Sequence, residues 1–124
     1  MSIFKEVSME INIMGTQYSL VYKDDEEVCE EMHCNPGECG GYCNEFSHKI
    51  VIANLNLCDD SKEAKQELKI RNLRHEIVHA YLNESGLSSN ASGVSCWAKH
   101  EEMVDWFAIQ SPKIYKTFGE VGCL

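Results

Sequence analysis

The pentapeptide His75-Glu76-Ile77-Val78-His79 constrains this chain more than any other feature of its sequence. It lies in a segment, residues 61–85, that we predict to be one helix. Residues four apart lie on one face of a helix, so both imidazole rings can bind one Zn²⁺ while Glu76 lies beside the ion. The pentapeptide therefore predicts a metal centre suited to hydrolysis.

The residues before this helix predict a small sheet. Apolar residues alternate with polar ones in two runs separated by Gly15, which predicts a β-hairpin. The runs are Val7, Met9, Ile11 and Ile13, then Tyr18, Leu20 and Tyr22. The acidic residues 24–27 predict a solvated turn, and residues 30–42, with Pro36 and three glycines, predict a loop or a fragment of helix. Residues 49–55 are rich in β-branched side chains and predict a strand, paired with a shorter strand within residues 42–46.

The helix over residues 61–85 has a predicted beginning and end. Asp60 and Glu63 can form a capping box, and Gly86 can end the helix in a left-handed conformation. Apolar residues on two sides predict that the helix is buried between layers. They are Leu73, Ile77, Ala80 and Tyr81 on one side, and Leu68 and Leu82 on the other.

Two more helices are predicted after a polar loop over residues 87–95. The first covers residues 97–110 and is expected to place its large apolar residues in the core. These are Trp97, Met103, Val104, Trp106, Phe107 and Ala108. Ser111 and Pro112 suit the first turn of a separate short helix over residues 111–118. The chain is thus predicted to be one α+β domain over residues 1–124.

A catalytic zinc site needs a third protein ligand besides the two histidines. The metzincin pattern of a glycine and a third histidine is absent, because Leu82 and Ser85 occupy those positions. The helix over residues 97–110 offers carboxylates instead. Glu101 and Asp105 are one turn apart, so Glu101 can bind the metal while Asp105 accepts the free ring N–H of a ligand histidine. Glu102 points about 100° away and stays the alternative third ligand.

With this helix included, the sequence resembles the gluzincin side of the zinc metallopeptidases, and specifically the small phage- and mobile-element-associated zincins related to the ImmA/IrrE metallopeptidases. Those proteins pair HExxH with a later helix of the pattern Glu-x-x-Ala-Asp/Asn-x-Phe-Ala. Here Glu101, Val104, Asp105, Phe107 and Ala108 occupy that pattern, with valine in place of the small residue. The resemblance covers most of residues 7–110. It implies a minimal zincin-like fold, in which a small, mostly antiparallel sheet packs on the HExxH helix and a second helix carries a ligand.

The resemblance also implies an activity. A zinc metallopeptidase of this kind hydrolyses peptide bonds of a protein substrate, with Glu76 as general base on a water molecule at the metal and later as proton donor to the leaving amine. The strand at residues 49–55 would hold an extended peptide by edge pairing. Tyr81, His100 and Tyr115 are candidate donors to the oxyanion. The alternative is a zincin-like module that binds zinc and a protein partner without cleaving it.

Composition limits the other classes of function. The net charge of −9 repels phosphate backbones, so nucleic acid is not an expected partner. No apolar run is long enough to span a bilayer, and residues 1–7 lack the pattern of a secretory leader. Seven cysteines without a regular framework indicate reduced thiols and a cytoplasmic location. Cys29, His33, Cys34, Cys39 and Cys43 are not expected to form a second zinc site, because paired C-x₂-C spacings are absent; we expect a loop of free or packing thiols.

Overall fold

The computed structural model describes residues 8–87 and 99–124. Within these residues the chain forms four strands and three helices. They are β1 (Ser8–Ile13), β2 (Thr16–Lys23), α1 (Asp25–Met32), β3 (Gly41–Asn44), β4 (Lys49–Ala53), α2 (Lys62–Glu84) and α3 (Glu101–Glu120). The predicted α+β class is confirmed. Val7, Trp97 and all but the first residue of the predicted loop over residues 87–95 lie outside the described residues.

The strands form one mixed sheet in the order β1-β2-β4-β3. β1 and β2 form the predicted antiparallel hairpin, in which Met14 and Gly15 at the turn both have positive φ. β4 pairs in parallel with β2 and antiparallel with β3, so the predicted pairing of residues 49–55 with a shorter strand is confirmed. β4 is therefore internal, and its predicted role as the edge that holds a peptide is wrong. β3 is the edge strand on that side of the sheet.

Both faces of β4 are buried, which explains its unbroken apolar run. Ile50 and Ile52 pack with Ala80 of α2 on one face. Val51 and Ala53 pack with Val28 of α1 on the other face. Helices thus cover the sheet on both sides, and α2, which carries residues 75–79, packs against the core.

The acidic residues 24–27 do not form the predicted solvated turn, because Asp25 begins α1 and is buried. Its carboxylate accepts hydrogen bonds from the backbone N–H groups of Leu55, at 2.9 Å, and Leu57, at 3.0 Å. A buried carboxylate needs such donors. Asp25 therefore fastens α1 to the segment that follows β4.

α2 begins one residue later than predicted. Ser61, and not Asp60, is its N-cap, with Oγ accepting the N–H of Ala64 at 3.2 Å. Because Ala64 is then the third helical residue, Glu63 is not in the position that a capping box requires. Gly86 follows the helix with the predicted positive φ of 84°. Ala80 is buried as expected, but Tyr81 is 45% exposed and does not belong to the buried face.

α3 is one continuous helix, so the two separate helices predicted after residue 97 are wrong. Its N-cap is His100, whose Nδ1 accepts the N–H of Met103 at 3.0 Å, and Pro112 lies inside the helix. Pro112 lacks the N–H that would bond to the carbonyl of Ala108, yet the helix continues to Glu120. None of the described helices combines the length and the apolar character needed to cross a membrane.

Only part of the predicted core of α3 is buried. Val104 and Ala108 are fully buried, whereas Trp106 is 53% and Phe107 41% exposed. Val104 and Ala108 are one turn apart, and Trp106 lies about 200° further round the helix from Val104. The face that packs inward is therefore narrow and includes small side chains.

Candidate metal centre

α2 and α3 pack against each other and bring three potential metal ligands together. The Nε2 atoms of His75 and His79 are 3.1 Å apart. The carboxylate of Glu101, in the first turn of α3, has one oxygen 3.1 Å from Nε2 of His75 and the other 2.9 Å from Nε2 of His79. All three ligand atoms lie within 4.8 Å of one another. The chain thus contains a candidate metal-binding triad.

The donor set of this triad fits a divalent cation. Two imidazole nitrogens and one carboxylate oxygen are a known ligand set of catalytic zinc sites. Zinc–ligand bonds of 2.0–2.1 Å with tetrahedral geometry separate ligand atoms by about 3.3 Å, close to the separations found here. Three lone pairs that face one another at this distance repel unless a proton or a cation lies between them. The geometry is therefore compatible with a bound divalent cation.

Asp105 orients one of the ligands. Its Oδ1 lies 2.9 Å from Nδ1 of His75. A proton on Nδ1 is donated to the carboxylate, so the lone pair of His75 remains on Nε2, where it faces His79 and Glu101. Glu101 and Asp105 are four residues apart on α3, and this spacing lets one helix supply both the ligand and the group that orients its neighbour.

Glu76 is a buried carboxyl group between the two histidines in sequence, with 6% of its surface exposed. Burial, opposed by His75 and reinforced by the nearby carboxylates of Glu101 and Asp105, raises its pKa to about 7. A cation bound at the triad would lower this pKa, because it favours the charged form. With a cation at the triad Glu76 is therefore favoured as a carboxylate, the form that can accept a proton.

The triad lies in an open cleft of about 590 Å³ between α2, α3 and β3. β3 contributes Gly41, Tyr42 and Cys43 to one wall. The burial of Cys43 raises its pKa to about 12, so the thiol stays protonated at neutral pH. Burial likewise raises the pKa of the Cys39 thiol. The cleft is large enough to admit an extended chain of a few residues beside the triad.

The remaining predicted residues lie elsewhere. Glu102 is exposed and is not in the triad, and none of the predicted oxyanion donors lines the cleft. Tyr81 and Tyr115 are exposed, while His100 caps α3. Within the described residues, the triad is the one group of three or more histidine, cysteine or acidic side chains with all its ligand atoms within 4.8 Å. The segment that holds Cys29, His33, Cys34, Cys39 and Cys43 therefore forms no second group of this kind.

Several residues of the cleft were not predicted from the sequence. They are Arg71, Asn72, Asn83 and Lys99, together with the residues of β3. Helical spacing could have identified three of them, because Arg71 and Asn72 precede His75 by one turn and Asn83 follows His79 by one turn. Lys99 could not have been found in this way, since it lies before α3 and depends on how the chain returns to α2.

Comparison of the chain with protein-family models, with curated proteins and with solved structures found no match.

Proposed function

We propose that the protein is a zinc-dependent metallopeptidase that hydrolyses peptide bonds of a protein substrate. The observation that carries this proposal is the position of Glu76, a buried carboxyl group adjoining the His75–His79–Glu101 triad in a cleft open to solvent. A structural metal site has no need of a free acid beside it or of an open approach. The arrangement has the parts that metal-assisted hydrolysis requires.

The triad would hold the zinc, which supplies polarisation of a water molecule and of the scissile carbonyl when it is bound. Glu76 accepts a proton from the attacking water on a carboxylate oxygen. It then delivers that proton to the amide nitrogen as the carbon–nitrogen bond breaks, leaving a new carboxylic acid and an amine. Asp105 keeps the ring of His75 in the tautomer that leaves Nε2 free.

A peptide substrate would pair with β3. β3 is hydrogen-bonded to β4 on one side and to none of the described strands on the other. Its residues Gly41, Tyr42 and Cys43 line the cleft that contains the triad. An edge strand offers unpaired backbone N–H and C=O groups to an extended chain. This mode of binding would place backbone amides beside the triad without demanding particular side chains.

The six cysteines of the described residues are free thiols, which supports a reducing, cytoplasmic setting.

A second candidate is a zinc-binding module that holds a protein partner without cleaving it. Exposed aromatic side chains on α3 favour this candidate, because apolar surface of this kind marks many interaction sites. They are Trp106, Phe107, Tyr115 and Phe118. Both candidates require the metal, and cleavage alone separates them.

Glu76→Gln, which keeps the shape of the side chain but cannot accept the proton, tests the activity. The purified wild type, with zinc content measured, is incubated with a quenched fluorescent peptide library, and products are identified by mass spectrometry. The proposal expects Glu76→Gln to keep about one zinc per chain and to lose cleavage by at least about a hundredfold. Failure of the zinc-loaded wild type to cut any peptide, or equal cleavage by the variant, would overturn it.

A matched pair of variants on α3 tests the third ligand. Glu101→Ala should lose stoichiometric zinc, whereas Glu102→Ala, one residue further along and outside the triad, should retain it. Inductively coupled plasma mass spectrometry of dialysed protein gives the zinc content of each. Loss of zinc in Glu102→Ala with retention in Glu101→Ala would transfer the ligand role to Glu102.

A further inference from the structure

We propose that Arg71 is a specificity-determining residue, which selects substrates bearing a carboxylate two to three residues from the scissile bond. This inference rests on the proposed peptidase function and names the class of substrate. It starts from the charged side chains of the cleft, most of which already have partners.

The carboxylates of the cleft are engaged within the protein. Glu38 accepts hydrogen bonds from the side chain of Asn35, at 2.9 Å, and from its backbone N–H, at 3.1 Å. Glu101 and Asp105 contact the histidines, as described above. Glu76 is buried beside the triad.

The two cationic residues of the cleft, Lys99 and Arg71, differ in whether their side chains already have a partner. Lys99 forms an ion pair with Glu45 at 3.0 Å. Within residues 8–87 and 99–124, the side chain of Arg71 makes no hydrogen bond and no ion pair, and Arg71 lines the cleft. A guanidinium group carries a fixed charge and five N–H donors, whose geometry matches a carboxylate in a two-pronged contact. With no partner among the described residues, the Arg71 guanidinium is available to an anionic group that enters the cleft.

The position of Arg71 sets the place of that group along a bound peptide. Arg71 precedes His75 by one turn of α2, which is about 6 Å along the helix axis. Helical side chains lean toward the N-terminus, so the long side chain of Arg71 can extend beyond this distance. An extended peptide rises about 3.3 Å per residue. The carboxylate should therefore belong to a residue two to three positions from the scissile bond.

Close packing joins the start of β3 to α2 at this end of the cleft. Gly40, directly before β3, lies against the side chain of Asn72, and a Cβ atom at Gly40 would be 2.3 Å from Nδ2 of Asn72. The start of β3 and the turn of α2 that carries Arg71 are therefore in contact. A peptide paired with β3 would pass along this same end of the cleft.

The chain as a whole carries a net charge of −9 and disfavours anionic ligands at long range. A local guanidinium contact would offset this repulsion for a substrate whose carboxylate reaches it, and not for others. A charge-assisted contact of this kind is worth about tenfold in binding. Selection would therefore appear in KM more than in kcat.

The test uses labelled alanine-rich peptides in which one Glu, or one Gln as the neutral match, is moved along the sequence. Each peptide is made with a free and with an amidated C-terminus, because a C-terminal carboxylate offers the same chemistry as a Glu side chain. Arg71→Gln is compared with Arg74→Gln, a control arginine on the same helix that does not line this cleft. Cleavage is followed for the wild-type background, and binding to zinc-loaded Glu76→Gln by fluorescence anisotropy.

The proposal expects the wild type to prefer the Glu peptide over its Gln match about tenfold at one position, and Arg71→Gln to abolish that ratio while Arg74→Gln keeps it. A preference seen only with free C-termini would assign the contact to the terminal carboxylate. Equal binding of Glu and Gln peptides at every position, or no binding of any peptide, would overturn the proposal. A wild type that binds with the Arg71-dependent preference but never cleaves would refute the peptidase function and leave the carboxylate site standing.

Discussion

The contact between Asp105 and His75 gives the most quantitative prediction for the metal centre. Asp105→Asn removes the negative charge that holds the Nδ1 proton of His75, across 2.9 Å, while keeping the size of the side chain. Groups that orient a metal ligand in this way contribute about 10- to 100-fold to metal affinity. Asp105 is 49% exposed, and water screens its charge. We therefore expect the lower end of that range, a tenfold weaker affinity, which corresponds to about 1.4 kcal/mol.

Zinc affinity can be measured by competition with a chromophoric chelator at neutral pH and fixed ionic strength. Glu102→Gln is the control, because it removes one charge from the same turn of α3 without touching a histidine. Circular dichroism should show the same helix content for both variants and the wild type. An affinity of Asp105→Asn within twofold of the wild type, or an equal loss in Glu102→Gln, would refute the assigned role of Asp105.

Three further predictions concern the fold around the centre. Asp25→Ala leaves two backbone N–H groups after β4 without their acceptor, and should lower the free energy of unfolding in urea by about 2 kcal/mol; an unchanged midpoint would contradict this. Hydrogen bonds from Tyr18 and Thr16 hold the pKa of Glu84 below its ordinary value of 4.5, so its contribution to stability is complete above that pH and is lost as the pH falls through the folded-state pKa. The wild type should therefore lose stability on acidification more steeply than Glu84→Gln, and parallel curves of melting temperature against pH would exclude the linkage. Gly41→Ala would bring a Cβ atom to 2.4 Å from the carbonyl oxygen of Val51, and should destabilise the pairing of β3 with β4 by about 1–3 kcal/mol in urea unfolding; a stability equal to the wild type would show that β3 can shift.

The strongest local patterns of the sequence were sufficient to predict many of the strands and helices. Alternation around Gly15 predicted the hairpin, and the β-branched run predicted β4, because both patterns depend on burial of a strand. The spacing of the two histidines predicted which side chains share a face of α2, and the spacing of Glu101 and Asp105 did the same for α3. These inferences needed only the period of a helix or strand.

Features that depend on packing between distant segments were not predictable in this way. The burial of Asp25 requires the backbone after β4 to approach it, which no neighbouring residue reveals. The exposure of Trp106 follows from which face of α3 meets α2, and its apolar character gave the opposite expectation. The position of β4 inside the sheet depends on its parallel pairing with β2, a contact between strands separated by α1 and β3. Pairing order, and with it the edge that faces the cleft, is a property of the assembled sheet.

Because the triad is divided between two helices, a metal bound there would be linked to the local stability of α3. Two ligands belong to α2, which packs on the sheet, but the third belongs to α3, whose buried side chains are only Val104 and Ala108. A cation at the triad acts as a cross-link between the helices, and its stabilisation grows with free metal concentration, reaching about 2.7 kcal/mol at a hundredfold excess over Kd. Chelation should therefore speed amide hydrogen exchange in α3 before it does so in β4. The free metal concentration of the surrounding solution would therefore set how long α3, one wall of the cleft, stays packed against α2.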